Sequence, residues 1–186
     1  MLKVAFDLFL LREHPIEHFA YTKRISWLIV TLIGVLAGLN PSLRAGVPGM
    51  PGMPFFVAIP FGILFLWMCF LVTVVVLKWW LKRGQRWDGQ GDLFNLVAAS
   101  LLVTNGLGAG LLALGIPPVL ILTLWLYSIW VGGNAIEGAI PKANLVYAIS
   151  GVLLSLILSL FIYVIVSGMA GFIMAALGMR LGNGLG

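Results

Sequence analysis

Long apolar blocks, separated by short polar or glycine- and proline-rich segments, make up most of the chain. A helix needs roughly 20 apolar residues to cross a hydrocarbon core about 30 Å thick. The apolar residues fall in blocks rather than in alternation, which favours helical spans over a transmembrane barrel. The pattern predicts an all-α fold, a polytopic membrane helical bundle in a single domain comprising residues 1–186. Five transmembrane spans are predicted, over about residues 25–39, 55–80, 93–114, 119–131 and 145–179.

Helix-breaking residues set the boundaries between these spans. The first span should stop at Asn40-Pro41, and Pro117-Pro118 should form a tight reversal between the third and fourth spans. The fourth span is expected to end at Gly132-Gly133-Asn134. The last block contains no charged residue and, as a straight helix at ~1.5 Å per residue, would be about 52 Å long. Because that exceeds the hydrocarbon core, the block either breaks near Gly168 to Gly171 or projects past the membrane, and a break or bend is favoured.

Residues 1–22 precede the first span and have a different pattern. Charged residues, Asp7 among them, occupy part of the helical circumference, and the remainder is apolar. This predicts a short amphipathic helix that lies in the membrane interface and ends near Pro15. The apolar run after Lys3 is short and interrupted, so the first span rather than a cleavable signal is expected to direct insertion. The apolar positions at helical spacing are Leu2, Phe6, Phe9 and Leu10.

Composition agrees with a membrane protein. Apolar residues make up 61% of the chain and charged residues only 9%, whereas a soluble domain usually carries about 25% charged residues. The surface must therefore face hydrocarbon. The net charge is +5, and the basic residues lie in short flanks of the apolar blocks. This is the pattern of topogenic charge and not of a nucleic-acid-binding face. The expected surroundings are the lipid bilayer, with no nucleic-acid partner.

The distribution of basic residues also predicts an orientation. Of the 11 Lys and Arg residues, only Arg44 and Arg180 fall on one side of the predicted spans. The positive-inside rule then places the N-terminus in the cytoplasm and, for an odd number of spans, the C-terminus outside. A hairpin in the last block would instead return the C-terminus to the cytoplasm. The basic residues on the predicted cytoplasmic side are Lys3, Arg12, Lys23, Arg24, Lys78, Lys82, Arg83, Arg86 and Lys142.

Candidate chemistry is sparse, because no ionisable residue falls in the core of a predicted span. We therefore predict no catalytic residue, no cofactor and no enzyme. Glu137 is interpreted as an interfacial loop carboxylate near Lys142, with a partner or substrate contact as the alternative. His14 and His18 belong to a sequence that matches the H-x-x-E-H zinc-protease pattern. Pro15 interrupts that motif, so an interfacial turn is favoured over a metal site or a membrane metalloenzyme.

Small residues recur at intervals of four in several predicted spans. This spacing lets helix backbones approach closely, and packing is a main driving force for helix association in lipid. The contacts could lie within this chain, or join it to another copy or a partner. The lone Cys69 is interpreted as a packing residue. The candidate packing residues are Gly34, Gly38, Gly106, Gly110, Gly151, Ser155, Ser159, Ser167 and Gly171.

A polar stripe follows the third predicted span, formed by Asn95, Ser100, Thr104 and Asn105. Such side chains can line a water-filled path, but they can equally form hydrogen bonds between helices. The stripe suggests solute passage, and an overlong last block is compatible with the broken helices that transporters often have.

The organisation resembles the Yip family, named for interaction with Ypt/Rab GTPases. The resemblance implies five spans, with the N-terminus inside and the C-terminus outside. Because the signature of the eukaryotic branch is absent, the bacterial branch is the better match, which implies the bacterial inner membrane. The residues that carry the resemblance are His14-Pro15, Lys78-Trp79-Trp80, Pro117-Pro118, Trp125 to Trp130 and Pro141-Lys142-Ala143.

Two functions follow as hypotheses. The first is a Yip-like membrane scaffold or accessory subunit that associates through its helices with itself or with partner membrane proteins. It rests on the abundant small-residue spacing and on the lack of ionisable residues in the spans. The alternative is a small-solute channel or transporter that uses the polar stripe of the third span.

Overall fold

The computed structural model of the chain describes residues 1–41 and 53–176, and within these ranges every regular element is helical. The predicted all-α class is confirmed for this part of the chain. Arg44, Arg180 and the predicted end of the last span at residue 179 lie outside the described residues. The helices are α1 (Leu2–Phe9), α2 (Lys23–Gly38), α3 (Phe55–Arg83), α4 (Leu93–Ala113), α5 (Pro118–Ala139) and α6 (Leu145–Ala176), with a 3-10 helix at Ile16–Phe19.

Four of these helices, α3 to α6, are long and apolar enough to cross a membrane, by length and composition. They indicate a lipid bilayer as the environment of the protein. Helix α2 has 16 residues, fewer than the roughly 20 that a perpendicular span requires. The described structure thus contains four helices of spanning length, and a fifth, shorter helix beside them.

The five longer helices pack side by side in a closed order, α2–α3–α6–α5–α4 and back to α2. Buried apolar residues from all five form one core, for example Val30, Phe70, Leu96, Val131 and Val152. The beginnings of α2, α4 and α6 and the ends of α3 and α5 meet at one end of the bundle, which we call the basic end because of its Lys and Arg residues.

Helix α5 does not end where the sequence analysis expected. It continues through Gly132-Gly133-Asn134 to Ala139. The reason lies in packing against α6, since a Cβ at Gly133 would be 2.5 Å from Cγ1 of Ile149. Glycine here makes room for a neighbouring helix. It does not terminate its own, because the backbone of a membrane helix has no water with which to pair.

Helix α6 is also more regular than expected. It runs without interruption from Leu145 to Ala176, through Gly168 and Gly171, so of the expected break or bend the break is wrong. Its 32 residues correspond to about 48 Å of helix, considerably more than a hydrocarbon core of about 30 Å. Intrahelical hydrogen bonds satisfy every internal backbone group in lipid, and this opposes a break at glycine.

Helix α1 is shorter than predicted, ends at Phe9 and packs on α4 and α5. Ala5 and Leu8 face the bundle, whereas Leu2 and Phe6 are exposed. Asp7 was expected on the polar part of the circumference, but it is buried. Its carboxylate accepts a 3.0 Å hydrogen bond from Arg12, and this pairing offsets the cost of burying the charge.

Candidate functional site

The contact that joins α2 to α3 is built from glycine. A Cβ at Gly34 would be 2.7 Å from Cα of Ile63, and one at Gly38 would be 2.6 Å from the carbonyl oxygen of Ala58. Gly62 of α3, which the sequence analysis did not select, faces them: its Cβ would be 2.5 Å from the backbone nitrogen of Gly38. The two helix backbones therefore touch, with no room for a side chain between them. Gly34 and Gly38 thus mediate a helix contact within the chain.

Two more of the selected positions lie at the contact between α3 and α6. A Cβ at Gly151 would be 2.7 Å from Cδ1 of Trp80. Ser155, one turn further along α6, is buried, and its hydroxyl donates a 2.7 Å hydrogen bond to the carbonyl of Val152. Neighbouring residues inside the bundle occupy the space around both Gly151 and Ser155.

The other selected glycines have no described neighbour at the position of a Cβ. A Cβ at Gly106 or Gly110 of α4 would meet nothing within 4 Å among the described residues, and the same holds at Gly171 of α6. Ser159 and Ser167 of α6 are partly exposed, but the hydroxyl oxygen of Ser159 is itself buried. The glycines selected for packing thus divide into a set that neighbouring helices fill and a set that no described part of this chain covers.

The second half of α6, from Leu156 to Phe172, is exposed over most of its circumference. We call it the α6 extension. Its large side chains are almost all apolar, as expected for contact with lipid or with another membrane helix. Its exposed large residues are Leu156, Ile157, Leu158, Leu160, Phe161, Tyr163, Val164, Ile165, Met169 and Phe172.

The polar stripe of α4 is divided in a similar way. Asn95, Ser100 and Thr104 are buried, and the two hydroxyls donate to carbonyls of their own helix, at Val97 and Leu101. Asn105 is partly exposed, and no hydrogen bond joins its side chain to the residues that the structure describes. The four residues therefore do not form one continuous polar surface.

Asn95 is the centre of a hydrogen-bond network at the basic end. Its Oδ1 accepts from Ser26 Oγ at 2.7 Å, and its Nδ2 donates to the carbonyls of Phe19 at 2.9 Å and Tyr21 at 2.6 Å. The Tyr21 hydroxyl donates to the Asn95 carbonyl at 2.9 Å. One side chain of the stripe thus fastens α2 and the preceding segment to α4, and its polar groups are used for structure.

Tyr21 also lies beside a carboxylate. Burial is the main cause that raises the pKa of Tyr21 to about 12, and the negative charge of Asp92 adds to it, whereas the hydrogen bond with Ser26 acts in the opposite direction. Asp92 itself caps α4 by accepting from the backbone N–H of Asn95 at 3.1 Å. Burial and the negative charge of Asp92 both favour a neutral Tyr21 in the folded protein.

Glu137 is not a loop carboxylate, which corrects the sequence interpretation. It lies inside α5, and its Oε1 accepts a 3.1 Å hydrogen bond from the backbone N–H of Leu145, the first residue of α6. Asn144 completes this cap by accepting from the N–H of Tyr147 at 3.0 Å. Glu137 therefore connects the end of one helix to the start of the next.

The two histidines of the HPIEH motif lie together, with ring centroids 5.2 Å apart. His14 Nε2 lies 3.3 Å from the Asp7 carboxylate. Neither histidine belongs to a metal-binding cluster, because no three His, Cys, Asp or Glu side chains come together that way within residues 1–41 and 53–176. Pro15 precedes a single 3-10 turn rather than an α-helix, so the motif does not have its zinc-protease geometry.

An aromatic pair at the basic end was not predicted. The Trp80 indole donates to the Tyr147 carbonyl at 3.1 Å, and the Tyr147 hydroxyl donates to the Trp80 carbonyl at 2.6 Å. A side chain on Gly84 would collide with that hydroxyl. The Arg86 guanidinium lies 5.4 Å from the Tyr147 ring centroid and donates to the Lys142 carbonyl at 2.9 Å. The α3–α4 and α5–α6 connections are thereby joined.

No family model, no curated protein and no solved structure matches the chain. The resemblance to the Yip family therefore stays a prediction that rests on the residues quoted for it.

Proposed function

We propose that this protein is a Yip-like integral membrane scaffold or accessory subunit that acts through helix association with itself or with partner membrane proteins. One observation carries the proposal. A Cβ at Gly34 or Gly38 would collide with the backbone of α3. A Cβ at Gly106 or Gly110, at the same spacing, would meet nothing within 4 Å in the described structure. A groove of the kind that the chain uses internally is thus left open on α4.

The energetics of lipid favour this interpretation of the open groove. Apolar side chains gain little by leaving hydrocarbon for a protein surface that is equally apolar, so association depends on close packing and on interhelical hydrogen bonds. Gly106 and Gly110 provide a surface without side chains, and Asn105 beside them provides an amide with no hydrogen bond to the described residues. Another helix could bury the groove and pair with the amide.

The α6 extension gives a second surface suited to the same role. Its apolar side chains are exposed from Leu156 to Phe172, and the helix is longer than one hydrocarbon core. A helix that leaves its own bundle in this way can contact a neighbouring membrane protein along much of its length.

We further propose five spans, with α2 as the shortest. Helix α2 packs against both α3 and α4, as a membrane-crossing helix would, and Tyr21 and Trp27 near its start are suited to the interface. The basic residues of the α3–α4 connection support a cytoplasmic basic end. In this arrangement the N-terminus lies in the cytoplasm, the C-terminus outside, and the bilayer is the bacterial inner membrane.

The alternative of a solute path has less support. Three of the four polar residues proposed to line it are buried, and their side chains are occupied by hydrogen bonds within the protein. Asn105 is the exception, and a single amide does not make a path.

The experiment that tests the proposal is gentle solubilisation from the native membrane, followed by measurement of the mass and composition of the particle. We expect a particle larger than one chain, containing either further copies or defined partner proteins. A single chain that remains alone after cross-linking in the intact membrane would contradict the proposal, and flux measurements in proteoliposomes would then test the alternative.

A further inference from the structure

A cleft opens at the basic end of the bundle, between the α3–α4 and α5–α6 connections. Its volume is about 450 Å³, large enough for a phosphate group with its substituents. Neither the helix-packing argument nor the polar stripe involves it. The lining residues are Gly84, Gln85, Arg86, Pro141, Lys142 and Asn144.

The cleft is positively charged, because Arg86 and Lys142 line it and no carboxylate is among its lining residues. The nearest acidic residue in the α5–α6 region, Glu137, already accepts from the N–H of Leu145. Gln85 and Asn144 add side-chain amides. Their N–H groups, together with the two cations, are the donors that an anion requires.

Arg86 is held in position before any ligand binds. One of its nitrogens, Nη1, donates to the Lys142 carbonyl at 2.9 Å, and its guanidinium lies 5.4 Å from the centroid of the Tyr147 ring. Tyr147 is itself fixed by its hydrogen bond to the Trp80 carbonyl. Because a guanidinium has five N–H donors, the others remain for a ligand, and little side-chain entropy is lost when it binds.

The surroundings of the cleft match a membrane interface. Lys82 lies 5.8 Å from the ring centroid of Trp87, and Arg83 lies 5.3 Å from that of Trp79. Tryptophan and tyrosine are enriched at the level of the lipid headgroups. Basic pockets between membrane helices bind anionic headgroups, and each nearby Lys or Arg contributes about 1 kcal/mol of attraction to an anionic surface.

We propose that this cleft binds a phosphate group, with Arg86 as the bidentate ligand and Lys142 as the neighbouring positive charge. Arginine matches the geometry of phosphate oxygens with two parallel N–H bonds, and lysine acts as a point charge. The phosphate belongs either to an anionic lipid, whose acyl chains would lie along the exposed apolar helices, or to a small soluble molecule. The proposal is independent of helix association.

The test compares lipid binding to the purified full chain by native mass spectrometry. The protein is exposed to equal amounts of phosphatidylglycerol and phosphatidylcholine, whose headgroups share a phosphate but differ in net charge. We expect the wild type to retain phosphatidylglycerol preferentially. The double variant Arg86→Gln, Lys142→Gln should lose at least about tenfold in apparent affinity, because charge-assisted hydrogen bonds disappear.

The matched control is the double variant Lys78→Gln, Arg83→Gln, which removes the same charge from the same end of the bundle but outside the cleft. It should retain most of the binding. If both double variants lose binding equally, general attraction to the basic end explains it and the cleft proposal is overturned. If the first variant does not fold, Lys142→Gln alone or Arg86→Lys takes its place. Arg86→Lys keeps the positive charge but removes the bidentate guanidinium.

Inorganic phosphate distinguishes the two sources of the ligand. If millimolar phosphate displaces the lipid from the wild type but not from the cleft variant, a small soluble phosphate compound is the ligand class. If it does not compete, a lipid headgroup is the ligand. A wild type that neither prefers phosphatidylglycerol nor binds phosphate would refute the proposal.

Discussion

The side chain of Asn95 on α4 accepts a 2.7 Å hydrogen bond from Oγ of Ser26 on α2. Both residues are fully buried. The same amide donates to the carbonyls of Phe19 and Tyr21, so a single residue satisfies backbone groups that come before the first long helix. The position of α2 in the bundle therefore depends on a side chain that sequence alone could equally have assigned to a solute path.

Replacement of that amide should destabilise the protein. In Asn95→Leu, the Ser26 hydroxyl and two buried carbonyls lose their partner, at a cost of about 2–5 kcal/mol. We expect a clearly lower midpoint of thermal unfolding in detergent. Asn105→Leu is the matched control on the same helix, and because its amide makes no hydrogen bond to the described residues, stability should change little. Equal effects of the two substitutions would remove the structural role of Asn95.

Tyr21 gives the network a pH dependence. The pKa of its phenol is about 12 in the folded protein and about 10 in the unfolded chain. Between these values the unfolded state has lost a proton that the folded state keeps, so the free energy of unfolding falls as pH rises from about 10 to 12. Unfolding measured across this range should show that fall.

The variant Tyr21→Phe isolates this contribution, since it has no proton to lose at that position. Its stability at neutral pH should be lower, because the hydrogen bond to the Asn95 carbonyl is missing, but the part of the alkaline decline that Tyr21 causes should disappear. A decline of unchanged size in the variant would assign it to other groups.

The filled and open glycines predict opposite responses to the same substitution. In Gly38→Ala the new Cβ would be 2.6 Å from the carbonyl oxygen of Ala58, so α2 and α3 must separate, at a cost of about 1–3 kcal/mol. In Gly110→Ala nothing described lies within 4 Å, and the better helix propensity of alanine should add roughly 0.5–1 kcal/mol. Chemical unfolding in mixed micelles would compare them, and a stabilising Gly38→Ala would contradict the α2–α3 contact.

Glu137 should contribute to stability through its hydrogen bond rather than through its charge. Glu137→Ala leaves the N–H of Leu145 without its acceptor and should cost about 1 kcal/mol, as the loss of a helix cap usually does. Glu137→Gln keeps an oxygen acceptor and should retain most of the stability. Hydrogen exchange at the Leu145 amide would report the cap directly. If Gln is as damaging as Ala, the charge is what matters.

The sequence predicted the helical class and the starts of α3 and α4 well, because the apolar blocks begin abruptly after Pro54 and Asp92. It failed where a glycine can either end a helix or make room for a neighbouring helix. Gly132-Gly133 resembles a helix end, and in water it often is one. In this bundle the same residues make room for Ile149 and Val152 of α6, a contact that no local pattern reveals.

The candidate sites were predictable only as residue types. The spacing of Gly34 and Gly38 is the same as that of Gly106 and Gly110, and only the fold distinguishes the filled pair from the open one. Asn95 depends on Phe19 and Tyr21, more than seventy positions away. The Trp80–Tyr147 pair likewise joins distant residues, so neither could be found from periodicity.

The most direct test of the central claim compares association in the intact membrane for the wild type and for Gly106→Leu, Gly110→Leu. Cross-linking followed by mass measurement reports the bound species, and Val119→Phe, which adds bulk at an exposed position of α5, is the control. We predict a larger species in the wild type and the control that is lost in the double variant while its thermal stability is preserved. An unchanged cross-linked species in the double variant, or a wild type that forms none, would contradict association through α4.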